Sequence, residues 1–515
     1  MTAESSIDSY LRTGSDIHRP DKRASTIARR IEGDIIRRGW PIGESLGSEH
    51  TLQERYRVSR SVLREAVRLV EHHQVARMRR GPNGGLLVCE PDAAPATRAL
   101  VIYLEYLGTT IGDLLRARLV LEPLAASLAA ERIDEAGIDR LRAVLRAEEH
   151  RKPAPQDEFH VALAERSKNP VLQLFIDVLM RLTRSYCPAP PQAAARPASS
   201  PRSAAEQPAS SPGGRYGRDS HADSTSEALE AVDRMHDDHS DIVAAVTAGD
   251  SARAKTLSER HVESVSAWLQ RHHSPGRGRG RTEFNREAPR GKLAEVLAAT
   301  IGDDIAVNGW QVGSVVGTET ALLERYQVSR SVLREAVRLL EYHAIARMRR
   351  GPGGGLVVTK PQAQASIDTF ALYLQYRKPS REDLRLVRDA IEIDNVAKVV
   401  RRREEHEVRA FLDTHRLVID ETPNDVRRAG MAEFLFHIGL AQLAGNAVLD
   451  LFLRILVELF RRHWSTSEPR LPSRGDVIDV ERAHLRIIEA IAAGDDSLAR
   501  YRLRRHLDVA ASWWP

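Results

Sequence analysis

At 515 residues the chain is too long for one hydrophobic core, so several domains of roughly 100 to 200 residues are expected. Hydrophobic residues at 42% support buried cores, and only 5% aromatic residues beside abundant Leu, Ala, Arg and Glu favour helices over an all-β build. The net charge of +5 leans toward an anionic partner, but with 29% charged residues of both signs only local clustering can decide.

The N-terminal stretch MTAESSIDSYLRTGSD has no apolar signal-peptide core, and no later stretch reaches the roughly 18 apolar residues of a membrane span. Two cysteines, Cys89 and Cys187, fit a reducing compartment and form no metal-thiolate motif. A cytoplasmic protein without a membrane partner is expected. Residues 1–20 read as a disordered tail.

Residues 21–92 read as a winged helix-turn-helix. IARRIEGDIIRRG and HTLQERY supply two short helical patterns. Ser59 then stands where a helix N-cap belongs, and Val62, Leu63, Ala66, Val67 and Val70 form one apolar face of the helix that follows. Arg60, Arg64 and Arg68 recur at i, i+4 and i+8 on the other face, with Ser61 beside the first. QVARMRR, GPNGG and LLVCEP read as strand, turn and strand, a wing whose tip carries Arg80 and Gly81 and which ends at Pro91. Between Arg55 and Arg80 eight arginines face two acids, Glu65 and Glu71. A single charged stripe is usually a solvated helix face. Cap, apolar stripe, arginine stripe and Gly-tipped hairpin in this order point instead to DNA, with arginine at the front of the helix pairing with guanine edges.

Residues 93–271 read as a helical effector domain, interrupted at about 187–226 by a Pro-, Ala- and Ser-rich insert without apolar periodicity. A basic, flexible linker at 272–288 follows. Then the text repeats: RYRVSRSVLREAVRL at position 55 returns as RYQVSRSVLREAVRL at position 325, and the two copies align without gaps, 270 positions apart, from about Ile31 to about Glu122. So long a repeat is a duplicated multi-domain protein and not a solenoid. Residues 289–362 form the second winged helix, with Arg330, Ser331, Arg334, Arg350 and Gly351 in the DNA-facing positions. Residues 363–515 form the second helical domain. The fold class expected is mainly α: two winged helices, each of three helices and a small β-hairpin, and two all-α bundles.

In the second copy EFLFH places Glu433 and His437 at i and i+4, followed by His484 and His506. One carboxylate and three imidazoles on adjoining helices suit a divalent metal: zinc, nickel, manganese or iron. The first copy has His160, His239 and His261, the last two 22 residues apart as in the second copy. Four residues before His160, however, stands Gln156, and the nearest carboxylate is Asp157 at i−3. Metal is therefore expected more firmly in the second copy.

VSRSVLREAV at Val58 and at Val328 resembles the signature of the GntR family of bacterial transcription regulators. The RLVLE from Arg118 and RDAIE from Arg388 resemble the opening helix of its FCD (FadR C-terminal) effector domain. The resemblance covers nearly the whole chain. It implies DNA contact by Arg60, Ser61 and Arg64 and by Arg330, Ser331 and Arg334. It also implies a metal-centred cavity for a small-molecule effector, a carboxylate or a related metabolite, with Arg118 and Arg388 as candidate cations and Asn169 and Asn446 behind the ligands. One departure is that His50 and Thr320 stand where some members place an operator-reading arginine.

The function expected is a sequence-specific DNA-binding regulator, a metabolite-responsive repressor. It would act as a monomeric pseudo-dimer, or as a homodimer, on a pseudo-palindromic double-stranded operator. The rivals are a metal-dependent enzyme using the Glu433 cluster, which no HExxH-like motif accompanies, and a non-specific nucleoid-type binder.

Overall fold

The computed structural model describes residues 22–79, 81, 84–150, 157–184, 219–272, 290–351, 353–361, 363–420, 426–466 and 474–510. Twenty helices and five short strands account for them. No described helix is long and apolar enough to cross a membrane. The expected N-terminal tail, most of the insert and the inter-copy linker lie outside the described residues. The final positions of the expected insert, 219–226, are helical.

The first head comprises α1 (Lys22–Arg37), α2 (Glu49–Tyr56), α3 (Arg60–His72), β1 (Ala76–Arg79) and β2 (Gly85–Val88). Each break has a local cause. Ser48 caps α2 by accepting from the Thr51 amide, Arg57 closes it in the left-handed region (φ 53°), and Ser59 reopens the chain as the N-cap of α3. Ile31, Ile35, Leu52, Leu63, Ala66, Val70 and Leu86 close the core. In the wing, Ala76 pairs with Val88 and Arg79 with Gly85. Gly85 is required there: at φ 148° a Cβ would lie 2.4 Å from Ser45 Oγ and 2.7 Å from the Gly47 carbonyl.

The second head repeats this with α11 (Arg290–Val307), α12 (Glu319–Tyr326), α13 (Arg330–Tyr342), β4 (Ala346–Arg349) and β5 (Gly355–Val358). It adds a strand the sequence did not suggest, β3 (Val315–Gly317), antiparallel to β5. The first head keeps only an isolated bridge there, Ser45 to Leu87.

Between head and bundle each copy has one connecting helix, α4 (Ala93–Tyr106) and α14 (Ala363–Arg377). The first bundle contains α5 (Ile111–Arg132), α6 (Glu135–His150), α7 (Asp157–Arg166), α8 (Pro170–Arg184), α9 (Asp219–Thr247) and α10 (Ser251–His272). The second contains α15 (Arg381–Arg401), α16 (His406–Asp420), α17 (Val426–Ala444), α18 (Ala447–Thr466), α19 (Arg474–Ala493) and α20 (Asp496–Ala510).

By compactness the chain divides into Leu114–Gly280 and everything else, a division that does not follow the two copies. The smaller unit is the first bundle, with Ala126, Leu141, Phe159, Ile242 and Val246 at its centre. The larger holds both heads, α4, α14 and the second bundle, whose core includes Val396, Phe436, Leu440, Ile487 and Leu503.

Within the larger unit the connecting helices pack on each other and on the opposite heads. Leu372 and Tyr376 of α14 join the core of the first head, while Ile102 and Tyr106 of α4 join that of the second. Trp40 meets Tyr376 with ring centroids 5.2 Å apart, and Trp310 meets Tyr106 at 5.4 Å. Both pairs obey the same 270-residue offset, so the exchange is reciprocal. Ser366 Oγ donates to the Ala99 carbonyl at 3.1 Å where the helices cross, and Tyr376 OH donates to Glu90 Oε1 at 2.9 Å. A double-mutant cycle on Trp40→Ala and Tyr376→Ala, followed by chemical denaturation, is expected to give a coupling of about 1 kcal/mol, the usual worth of an aromatic pair beyond its buried area.

Candidate nucleic-acid interface and metal centres

Helix α3 is laid against its head by Leu63, Ala66, Val67 and Val70, which leaves Arg60, Ser61, Arg64 and Arg68 exposed. α13 does the same with Arg330, Ser331, Arg334 and Arg338. Ser61 and Ser331 sit beside the N-cap hydroxyls of Ser59 and Ser329, at 3.1 and 2.9 Å. At the wing tips Arg350 and Gly351 are exposed and Gly81 is exposed, with Gly81 and Gly351 at φ 115° and 96°. Arg80 lies outside the described residues. The neighbouring Arg349 folds back, its Nη2 donating to the Gly353 carbonyl at 2.7 Å.

A partner missed in the sequence is Glu49, in the first turn of α2. Its Oε1 accepts from Arg64 Nε at 2.8 Å and from Arg60 Nε at 3.0 Å. Those hydrogen bonds, Arg64's first, hold its carboxyl below the ordinary carboxylate range. The counterpart Glu319 reaches Arg334 Nε at 3.6 Å. The only signal available was the repeated acid directly after an N-cap, 15 residues before the second arginine of the stripe.

The second bundle brings Glu433 and His437 of α17 together with His484 of α19 and His506 of α20, all buried, with one ligand atom from each within 4.8 Å of the others. Glu433 Oε2 lies 3.0 Å from His484 Nε2, and its Oε1 lies 3.1 Å from His506 Nε2 and 3.3 Å from His437 Nε2. Burial opposes its ionisation, but His506 and His484 outweigh burial and hold its carboxyl well below the ordinary range. Burial lowers His484 to about 4. His437 goes the other way: burial disfavours its charge, yet the Glu392 carboxylate at its Nδ1, together with Glu433, raises it to about 10.

The first bundle gathers His160 of α7, His239 of α9 and His261 of α10. Their Nδ1 atoms face Glu122 Oε2 at 2.9 Å, Glu148 Oε2 at 3.1 Å and Asp238 Oδ2 at 3.2 Å. A carboxylate at Nδ1 fixes the proton there and leaves the Nε2 lone pair facing the other imidazoles. Burial and the neighbouring imidazoles push His239 far below its ordinary range, and burial lowers His261. His239 Nε2 and His261 Nε2 lie 3.2 Å apart, an approach of two lone pairs that a cation between them would relieve, so this donor set, like that of Glu433, fits a divalent metal.

Asp157 does not join the first set, which corrects the sequence expectation. At i−3 on α7 it faces away from the imidazoles and binds Arg184 Nε of α8 at 2.6 Å. Among the described residues no carboxylate oxygen takes the place that Glu433 fills in the second copy. Gln156 lies outside the described residues. The outer acids Glu148 and Asp238 come from distant segments and had no sequence signal, whereas Glu122 and Glu392 were visible as the last residue of RLVLE and RDAIE.

Arg118 and Arg388 are both buried but turn differently. Arg118 Nε donates to Glu122 at 2.5 Å while its Nη2 lies 3.4 Å from His160 Nε2, beside the three-imidazole set. Arg388 Nη2 instead donates to Asp389 Oδ1 at 3.0 Å and to the Leu507 carbonyl at 3.3 Å. Asn169 and Asn446 were expected behind the metal ligands. Asn446 Oδ1 accepts from the amides of Val448 and Leu449 at 3.0 and 3.1 Å, and Asn169 Oδ1 from Val171 and Leu172 at 3.0 and 3.2 Å. Both are helix N-caps, of α18 and α8.

Known proteins share these parts. Residues 23–83 match the family described as bacterial regulatory proteins, gntR family, and residues 113–206 and 383–509 each match the FCD domain. The Uxu operon regulator of Haemophilus influenzae is 30% identical over 155 residues, 28% of this chain and 55% of that protein. The match thus spans about half of that relative's length. The HTH-type transcriptional regulator LutR of Bacillus subtilis is 26% identical over 202 residues, 38% of this chain and 89% of that protein. A solved GntR structure from Streptococcus agalactiae, 20% identical, covers 48% of this chain and 99% of its own with a TM-score of 0.30. With a gntR-type winged helix at its start and the FCD domain matched twice beyond it, the chain belongs to the GntR family of bacterial transcription regulators, a family of DNA-binding proteins and not of enzymes.

Proposed function

We propose that the chain is a sequence-specific, metabolite-responsive repressor in which one polypeptide supplies both DNA-reading heads. The observation that carries this is the reciprocal exchange of connecting helices, Trp40 on Tyr376 and Trp310 on Tyr106, which joins the two heads in one unit. Their recognition helices read RSVLREAVRLV and RSVLREAVRLL, so they favour half-sites of the same sequence in a pseudo-palindromic operator. In this reading the chain works as a monomeric pseudo-dimer in the cytoplasm, without a membrane partner.

A divalent metal held by Glu433, His437, His484 and His506 is part of the same reading. His160, His239 and His261 offer a second, weaker centre without a carboxylate of its own. The metal would supply positive charge for an anionic effector, a carboxylate in the first instance, and Arg118 stands beside the first centre to assist. Effector binding would change operator affinity through a coupling of about 1 to 3 kcal/mol.

Footprinting on sequences selected from random DNA tests the arrangement. The expected result is two related half-sites protected by one chain, with mass measurement giving one protein per duplex. Protection of an isolated half-site, or of two unrelated half-sites, would refute the pseudo-dimer. A reporter gene behind the selected operator tests repression, and loss of expression on adding the protein is the expected sign.

A further inference from the structure

The two heads share their base-reading helix but differ sharply in the surface beside it. Along one face of α1 in the first head, Arg30, Asp34 and Arg37 recur at i, i+4 and i+7. The Arg30 guanidinium lies 5.5 Å from the centre of the Tyr56 ring, Tyr56 OH donates to Asp34 Oδ2 at 2.6 Å, and Arg37 pairs with Asp34. This face therefore lies against the C-terminal end of α2, and the residue that follows Tyr56 is the exposed Arg57, in the turn leading to Arg60. Arg30, Arg37, Arg57 and Arg60 line one exposed basic strip from the first helix to the tip of the recognition helix.

The second head has the same scaffold without the strip. Tyr326 OH donates to Asp304 Oδ2 at 2.8 Å, as in the first head, so the helices stand in the same relation. The strip positions, however, are Thr300, Val307 and Gln327. Thr300 is buried and donates to the Val296 carbonyl at 2.9 Å, Val307 is 47% exposed, and the Asp304 carboxylate is taken by Arg325 Nη2 at 2.8 Å. Three positive charges on one head are three uncharged residues on the other, while Arg60, Arg64 and Arg68 are repeated without change as Arg330, Arg334 and Arg338.

Phosphate contacts set affinity and salt dependence, and base contacts set sequence preference. From that division we infer that the heads are unequal: the first anchors the chain to the sugar-phosphate backbone flanking its half-site through Arg30, Arg37 and Arg57, while the second contributes base reading with little backbone hold. The inference rests on both heads engaging one operator, and its test separates the two ideas.

The test measures the affinity of the full chain for operator duplex and for scrambled duplex by fluorescence anisotropy between 50 and 200 mM salt. The triple substitution Arg30→Thr, Arg37→Val and Arg57→Gln gives the first head the second head's residues, which the same scaffold already accepts. Circular dichroism and thermal melting check that the variant folds. The slope of log affinity against log salt is expected to fall by two to three units, about 0.9 for each phosphate no longer neutralised. Wild type would then lose about 40-fold more affinity than the variant across this salt range. The loss at low salt should be similar on both duplexes, with the preferred base sequence unchanged. The converse variant, Val307→Arg with Gln327→Arg, should steepen the slope by one to two units.

An unchanged slope in the first variant, or an altered base preference with the slope intact, would overturn the inference. Failure of the two-headed reading shows elsewhere: in that case Arg334→Ala would leave operator affinity untouched, whatever the slopes do.

Discussion

Replacing Arg64 and Arg334 together by alanine is expected to abolish discrimination between operator and scrambled DNA while leaving the fold intact. Both side chains are exposed on helices held by apolar residues on the opposite face, so truncation leaves Leu63, Ala66 and Val70, and Leu333, Ala336 and Leu340, in place. A bidentate arginine–guanine pair is worth about 1 to 3 kcal/mol of discrimination, so two such losses amount to roughly 30-fold to 10⁴-fold. Lysine should rescue either position only in part, because an ammonium reaches guanine O6 and N7 as a point donor without the planar fork of a guanidinium. Glu49 adds a detail: Arg64→Ala leaves its carboxylate to Arg60 alone, which should draw that side chain further from DNA and make the single change at Arg64 more costly than at Arg334. Competitive binding against scrambled duplex measures all of this, and retention of full specificity by the double variant would remove the basis for the DNA reading.

The second large effect concerns the buried Glu433 cluster. Protein stripped with EDTA should gain thermal stability when zinc or another divalent cation is restored. A ligand present at a thousand times its dissociation constant stabilises the folded state by about 4 kcal/mol, which in a bundle of this size raises the melting temperature by the order of 10 °C. His506→Ala should remove most of that gain, since His506 Nε2 lies 3.1 Å from His437 Nε2, 3.3 Å from His484 Nε2 and 3.1 Å from Glu433 Oε1. His261→Ala, in the set without a carboxylate, should remove much less. Equal melting with and without cation would show that the second cluster holds none.

What the sequence revealed, and what it hid, divides by the range of the forces. The N-cap Ser59 and the arginine stripe were legible because caps and helical periodicity act over three or four residues. The partners of the histidines were not: Glu148 and Asp238 reach His239 and His261 from elements whose meeting depends on packing. Asp157 misled for a related reason. Its proximity to His160 in sequence suggested a ligand, but three residues along α7 turned it toward Arg184. The third strand of the second wing was hidden because β3 exists through pairing with β5, some forty residues on. The exchange of connecting helices was least legible of all, since it joins residues such as Ala99 and Ser366, which no local pattern relates.

That exchange has a consequence for how the molecule behaves at low abundance. Ordinary dimers separate on dilution, so a regulator made at a few copies per cell risks existing as lone half-binders. In the single-chain reading proposed above, the complement of each head would be covalently attached, so its effective local concentration would not fall with expression level. Carrying both copies in one chain also lets the two halves accumulate different mutations, because a change in one is not forced to appear in the other.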